Sequence, residues 1–370
     1  VTDMTFARTR LETTLRDGLR SAGPVIESIL STRPVDEVLP AKRTGVRVEH
    51  GYPAVELVDA EREGPSRRVP SRVRYALRDE TFDVSSYAFG QVMQRAGMPV
   101  AYGRSLLDGD PEASWKGSLL EHSLAQHLAN QPGQVLVRRV DEQVRGVLSD
   151  RFKRMDSRPM LDAFIGACKN VGAQPISGHA TETRHAVRVV IPKIYEPVPG
   201  EALAFGLHWG NSDFGNGTYH VTAFCLRLWC LNGMVGEKEL KKTHVGAQLQ
   251  EGIQYSNRTY QLSEQALASQ TTDVVKAVLG DDFIEERCSA IRAMHETETD
   301  FKTAWAKVGK QLSKTERGLV EAAFTSNDEL NVPAGKTMWR FVNALSWVAN
   351  REDVSEERRL DLQAVAGKLT

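Results

Sequence analysis

The stretch from Ala202 to Gly246, ALAFGLHWGNSDFGNGTYHVTAFCLRLWCLNGMVGEKELKKTHVG, constrains the fold more than any other part of the chain. An apolar run leads into a cluster of Gly, Asn, Ser and Asp. A second β-rich run from Thr218 to Cys230 follows, and the pattern breaks at Asn232-Gly233. Asn211-Ser212-Asp213 and Gly215-Asn216-Gly217 accept positive φ or hydrogen-bond their own backbone, so two strands joined by a sharp reversal are expected. A second hairpin is expected where Gln134 to Val137 and Val144 to Leu148 flank Asp141-Glu142.

Helical periodicity surrounds these strands. It runs from Thr5 to Leu30 with an interruption at Gly23-Pro24, from a Ser85 cap through Phe89 to Met93, from Trp115 to Leu128 and from Met160 to Val171. A strand is expected from His185 to Ile191. Long helices are expected from Val245 onward, with a capping box at Ser313-Lys314-Thr315-Glu316 and an aromatic-rich amphipathic segment from Thr337 to Trp347. The class implied is α+β, a central mostly antiparallel sheet with flanking helices and a helical C-terminal part. Residues 1–40 read as an N-terminal helical arm, 41–250 as an α+β core with two β-hairpins, and 251–370 as a helical part packed on that core.

With 41% hydrophobic residues in 370, the chain can bury a sizeable core. No run reaches the roughly 18 to 20 apolar residues of a membrane helix, and the early Arg8, Arg10 and Glu12 do not fit the apolar core of a signal peptide. A cytoplasmic location without membrane contact is expected. The cysteines Cys168, Cys225, Cys230 and Cys288 form no C-x-x-C pair, which points to free thiols.

A net charge of -1 rules out a general polybasic coat but hides an asymmetry. Lys42, Arg43, Arg47, Arg62, Arg67, Arg68, Arg72, Arg74 and Arg78 form a basic N-terminal run, whereas the C-terminal third is acidic. A tighter cluster follows the second hairpin. There Arg138, Arg139, Arg145, Arg151, Lys153 and Arg154 accompany Phe152, and Lys241 and Lys242 lie with Lys238 and His244 in what reads as a short basic loop. Cations interleaved with an aromatic ring suit phosphate contact and base stacking on single-stranded nucleic acid. Asp150 and Asp156 supply the plainer reading, in which these arginines pair with carboxylates.

No cofactor is expected, because neither G-x-x-x-x-G-K-[ST] nor a strand-to-helix G-x-G-x-x-G occurs around Gly206 to Gly217, and no G-x-S-x-G marks a nucleophile. Five histidines, His179, His185, His208, His220 and His244, fall in the central β region. If His208, Asp213, His220 and His244 converged on a metal they would activate water for hydrolysis.

The run Val144-Arg145-Gly146-Val147-Leu148-Ser149-Asp150-Arg151-Phe152, then Asn211-Ser212 with Gly215, then Arg227 through Cys230-Leu231-Asn232-Gly233-Met234, and finally His244 together resemble an uncharacterised domain family of phage and plasmid proteins. That family shows a "vRavLSDRY" segment, an "NSe.G" turn and an "R.vC.NGm" segment with a His soon after. Asn343-Ala344-Leu345 is similar to its C-terminal pattern. The resemblance spans roughly residues 75 to 350, with Phe152 where Tyr is more usual and Asp213 where Glu is common. It implies a mobile-element setting beside recombination and anti-restriction functions. The expectation is a DNA-binding protein of the bacterial host cytoplasm that acts on single-stranded DNA in recombination or replication, with strand annealing as the candidate activity. Its expected partners are single-stranded DNA, further copies of itself and a host or phage recombination protein. A metal-dependent nucleic-acid hydrolase and a protein-binding inhibitor of a host defence system are the alternatives.

Overall fold

The computed structural model describes residues 4–49, 72–77, 80–107, 115–244, 255–327 and 332–369. Both expected hairpins are present, and each seeds its own sheet. β9 (Leu203–Asn211) and β10 (Tyr219–Arg227) pair antiparallel, from His220 opposite Gly210 to Arg227 opposite Leu203. Gly215 in their connection adopts φ +86, a conformation open to glycine without strain. β7 (Gln174–Ala180), β8 (His185–Val190) and β11 (Asn232–Lys242) complete a five-stranded antiparallel sheet in the order β11-β10-β9-β8-β7. Every residue of β9 is buried, as its central position with both faces covered requires.

β5 (Gln134–Val140) and β6 (Gln143–Ser149) turn through Asp141, which takes φ +51, and belong to a six-stranded sheet. Its order is β1-β5-β6-β4-β3-β2, with β1 (Val35–Pro40), β2 (Thr44–Glu49), β3 (Arg72–Leu77) and β4 (Glu80–Val84). Among the described residues only the short β4–β6 pairing is parallel. The α+β class with mostly antiparallel strands therefore holds, with the strands divided between two sheets rather than gathered in one.

Helices cover the sheets where sequence periodicity placed them. α2 (Ser86–Arg95), capped by Ser85, α3 (Val100–Ser105) and α4 (Trp115–Ala129) flank the six-stranded sheet. There Phe89, Val92, Leu120 and Leu124 meet Tyr75, Phe82, Val135 and Val144. On the five-stranded sheet, Phe164 of α5 (Ser157–Asn170) and Leu267 and Val275 of α6 (Asn257–Val278) pack over Leu207, Trp209 and Val221. The C-terminal helices α7 (Asp281–Glu296), α8 (Phe301–Ala306), α9 (Lys314–Thr325), α10 (Met338–Ala349) and α11 (Glu356–Gly367) enclose a core that reaches Leu203 and Phe205. Ser313 and Glu316 exchange both bonds of the expected capping box.

Three expectations are corrected. The segment expected as an N-terminal arm over 1–40 is, in its described residues 4–40, part of the body: α1 (Met4–Ser31) lies against β7, and Val35–Pro40 form an edge strand of the six-stranded sheet. The helix also continues through Gly23-Pro24, because packing on both sides of the proline, by Ala22 and Ile29, holds it in register. The basic segment at Lys238 to Lys242 is the end of β11, not a loop. Its lysines and Glu239 depress strand propensity, but an edge strand tolerates lysine well. Arg62, Arg67, Arg68 and Arg78, and the start of the helix expected from Val245, lie outside the described residues.

The seat of α1 on β7 depends on a glycine. A Cβ at Gly18 would stand 2.4 Å from the Ile176 Cα. Gly18→Ala is expected to lower stability by about 1–3 kcal/mol through overpacking, despite alanine's better helix propensity, as measured by urea denaturation. An unchanged or raised midpoint would contradict this packing.

Candidate functional site

Arg138, the first of the sequence-predicted phosphate ligands, is fully buried. Its guanidinium donates to Asp36 Oδ1 at 2.7 Å, Asp156 Oδ1 at 2.6 Å and the Asp213 carbonyl oxygen at 2.7 Å. Asp36 comes from β1, Asp156 from the link between β6 and α5, and Asp213 from the turn of the β9–β10 hairpin. Burial alone would favour loss of the Arg138 proton. Asp156, Asp36 and Asp213 outweigh that effect and hold the group above its ordinary value. Arg138 is thus a structural cation joining the two sheets, unavailable to a phosphate. Arg154 is committed in a similar way, with Nε 2.9 Å from Asp36 Oδ2 and its guanidinium 4.5 Å above the Tyr260 ring.

The hairpin turn supplies the other half of the network. Asp213 Oδ1 accepts from the Ser157 backbone N–H at 2.8 Å, the Ser157 hydroxyl at 2.7 Å and Asn211 Nδ2 at 3.2 Å. Asn211 Nδ2 also donates to the Met155 carbonyl, which leaves Asn211 Oδ1 facing His244 Nε2 at 3.1 Å. His244 Nδ1 lies 3.0 Å from the Lys153 carbonyl. Phe152 stacks on the His244 ring at 4.8 Å with the planes 7° apart. Gln91 of α2 ties the same turn to the six-stranded sheet, donating to the Phe214 carbonyl and accepting from the Val147 N–H.

Burial pushes the Asp213 carboxyl up to about 6, helped by neighbouring Asp156 and opposed by Arg138 and Ser157. Glu264 of α6 is raised to about 7, again chiefly by burial and then by Asp156. Burial lowers His185 and His244 to about 4. Ser157 Oγ lies between Asp213 and His185 Nδ1, the latter at 2.9 Å. That order differs from a catalytic triad, in which histidine stands between serine and carboxylate, and Ser157 is only 1% exposed. The trio orders the turn and offers no accessible nucleophile.

The four metal-ligand candidates do not converge. His208 and His220 share the opposite face of the five-stranded sheet, with ring centroids 5.4 Å apart, whereas Asp213 and His244 belong to the network beneath Phe152. Among the described residues no group of three or more His, Cys, Asp or Glu is placed to hold a metal ion.

Of the remaining cations, Arg139 covers the Phe82 ring at 4.0 Å and Arg145 donates to Gln143. Arg151, Lys241 and Lys242 are exposed, and Lys153 is half-buried. The Lys153 N–H donates to the His244 carbonyl at 3.0 Å, so the segment carrying Arg151 and Lys153 runs beside the end of β11 that carries Lys242. Lys242 lies opposite Tyr219 and Lys241 opposite His220, so the two lysines occupy opposite faces of the edge strand.

The segments that carry the sequence resemblance thus gather in two places. Leu148 to Phe152, Asn211 to Gly215 and His244 build the network. Arg227 grips Glu201 at 2.8 and 2.9 Å and lies 3.6 Å from Cys230 Sγ, while Trp339 Nε1 also donates to Glu201. Asp36, Ser157, Gln91 and Glu264 carry no signal in the sequence that marks them for the site, whereas Asn211 stands out there only as a turn former, His185 only as one of the five central histidines and Asp156 only as a carboxylate partner for the arginines. Comparison of the chain with protein-family models, curated proteins and solved structures gives no match.

Two outcomes are expected. Arg138→Met, which leaves Asp36, Asp156 and Asp213 without their common cation, should cost about 3–5 kcal/mol at pH 7 in urea denaturation; a loss below about 1 kcal/mol would remove Arg138 from its structural role. The pH dependence has opposing parts. The depressed His185 and His244 contribute stability that is lost as pH falls from about 6.5 to 4, while the raised Asp213 and Glu264 contribute stability that is lost as pH rises through about 6 and 7. His244→Gln removes one of the two contributions that grow with pH. Its stability relative to the unaltered protein should therefore fall as pH is raised from about 4.5 to 6.5, and a pH-independent difference would contradict the assignment.

Proposed function

We propose that the protein binds single-stranded nucleic acid in the recombination or replication of a phage or plasmid, with strand annealing as the candidate activity. The observation that carries this reading is the backbone pairing of Lys153 with His244, residues 91 apart in sequence, which sets Arg151 and Lys153 beside Lys242 on a single ridge. Cations that project from hydrogen-bonded backbone follow a phosphodiester chain without first having to order that backbone. Lys241, on the far face of the same edge strand, extends the positive charge around the sheet margin.

Within this reading the roles divide. Arg151, Lys153, Lys241 and Lys242 meet phosphates, whereas Arg138 and Arg154 hold the ridge in place from beneath. Phe152 packs against His244 and serves as support. The action is electrostatic, with no step of bond making or breaking. The mobile-element setting comes from the sequence resemblance alone. Assembly into oligomers and association with a recombination protein belong to the same proposal.

The test is fluorescence anisotropy of labelled single-stranded and duplex oligonucleotides across salt concentrations. Each phosphate contact to a single strand contributes about -0.7 to the slope of log K against log salt. The Arg151→Ala/Lys153→Ala variant should therefore bind more weakly with a slope shallower by about 1.4. Unchanged affinity and slope would discard the ridge as the binding surface.

A further inference from the structure

Beside the basic ridge stands an aromatic pair that the function proposed above does not use. Tyr255 precedes α6 and is 44% exposed, and its ring meets Tyr260 edge-on, centroids 6.0 Å apart and planes at 83°. Tyr260 is clamped by the Arg154 guanidinium at 4.5 Å, and Arg154 is itself held by Asp36. Arg154 directly follows Lys153 of the ridge. Ser256 caps α6 by accepting from the Thr259 N–H, which fixes the backbone at the tyrosine. The first turns of α6 project outward, with Arg258, Thr259 and Gln261 exposed and Leu262 left 54% exposed. A large aromatic ring is thus held open to solvent by a chain of contacts through Tyr260 and Arg154 to Asp36, a partner of the buried Arg138.

We infer that Tyr255, supported by Tyr260, is a base-stacking platform, so that the ligand is a strand with unpaired bases and is bound through base faces as well as phosphates. This rests on the nucleic-acid reading of the ridge. The chemistry is specific to single strands. A base within a duplex has both faces covered by its neighbours, whereas an unpaired base can lay one face on a tyrosine ring. Charge from Arg151, Lys153 and Lys242 selects a polyanion but does not distinguish single strand from duplex, and the ring supplies that distinction. The sequence pattern offers Phe152 for stacking or packing, and one face of its ring lies on His244.

The experiment uses the full chain and two labelled probes, an oligothymidylate and an abasic strand of equal length and phosphate number. The protein is expected to bind oligothymidylate at least about tenfold more tightly than the abasic strand, in line with the stacking free energy of one base. Tyr255→Ala should erase most of that preference while leaving abasic-strand affinity unchanged, and Tyr255→Trp should keep it. Tyr255 is largely exposed, so its replacement tests the ring and not the fold. Equal binding of both probes by the unaltered protein, or an undiminished preference in Tyr255→Ala, would overturn the stacking platform while leaving phosphate binding intact. No binding of either probe at low salt would overturn the nucleic-acid reading itself, and the platform with it.

Discussion

The buried guanidinium of Arg138 is the interaction on which the remainder of the structure depends. Desolvating an ion of this size is very unfavourable unless each of its faces finds a partner. Here β1, the link into α5 and the turn of the β9–β10 hairpin each supply one oxygen at 2.6 to 2.7 Å. Because those three oxygens come from both sheets, satisfying the charge fixes one sheet against the other. Hydrophobic packing within each sheet is non-directional and would permit small slides. A planar donor group with three committed bonds does not.

From this cation the order passes outward. Asp213 holds the Ser157 N–H and hydroxyl and the Asn211 amide, Asn211 faces His244, and His244 carries Phe152 on its ring and Lys153 along its backbone. Arg154 shares Asp36 with Arg138 and extends the same chain to Tyr260. The backbone that carries Lys153 is thereby fixed to the backbone at His244. The ridge and the tyrosine pair are in this sense the outer layer of an internal ionic lattice.

Particular residues show how much of this was legible in the chain. The Asn-Gly-Ser-Asp cluster after Gly210 marked the β9–β10 turn because those side chains suit tight reversal wherever they occur. Ser313 and Glu316 marked a helix start for an equally local reason. Lys238 to Lys242 misled, because edge position and not intrinsic propensity made them strand. The crowding of arginine around Phe152 was visible, but sequence spacing does not say which arginine faces inward. Arg138 and Arg139 are adjacent and alternate across the strand, one fully buried and the other half-buried over Phe82. The histidines of the central region were likewise visible as a group, and the two faces of the sheet separated them.

By itself, the sequence determined the elements of this protein: its two hairpins, the amphipathic helices around them, the α+β class and the presence of a cationic cluster. Each of these follows from side-chain preferences and periodicities that act within a few residues. Tertiary structure alone decided that there are two sheets, that Arg138 is buried among carboxylates while Arg151 is exposed, and that Arg154 lies over Tyr260, the ring that Tyr255 meets. Those outcomes depend on contacts between segments distant along the chain. A side chain's chemistry depends on whether the other segment brings it a carboxylate, an aromatic ring or water.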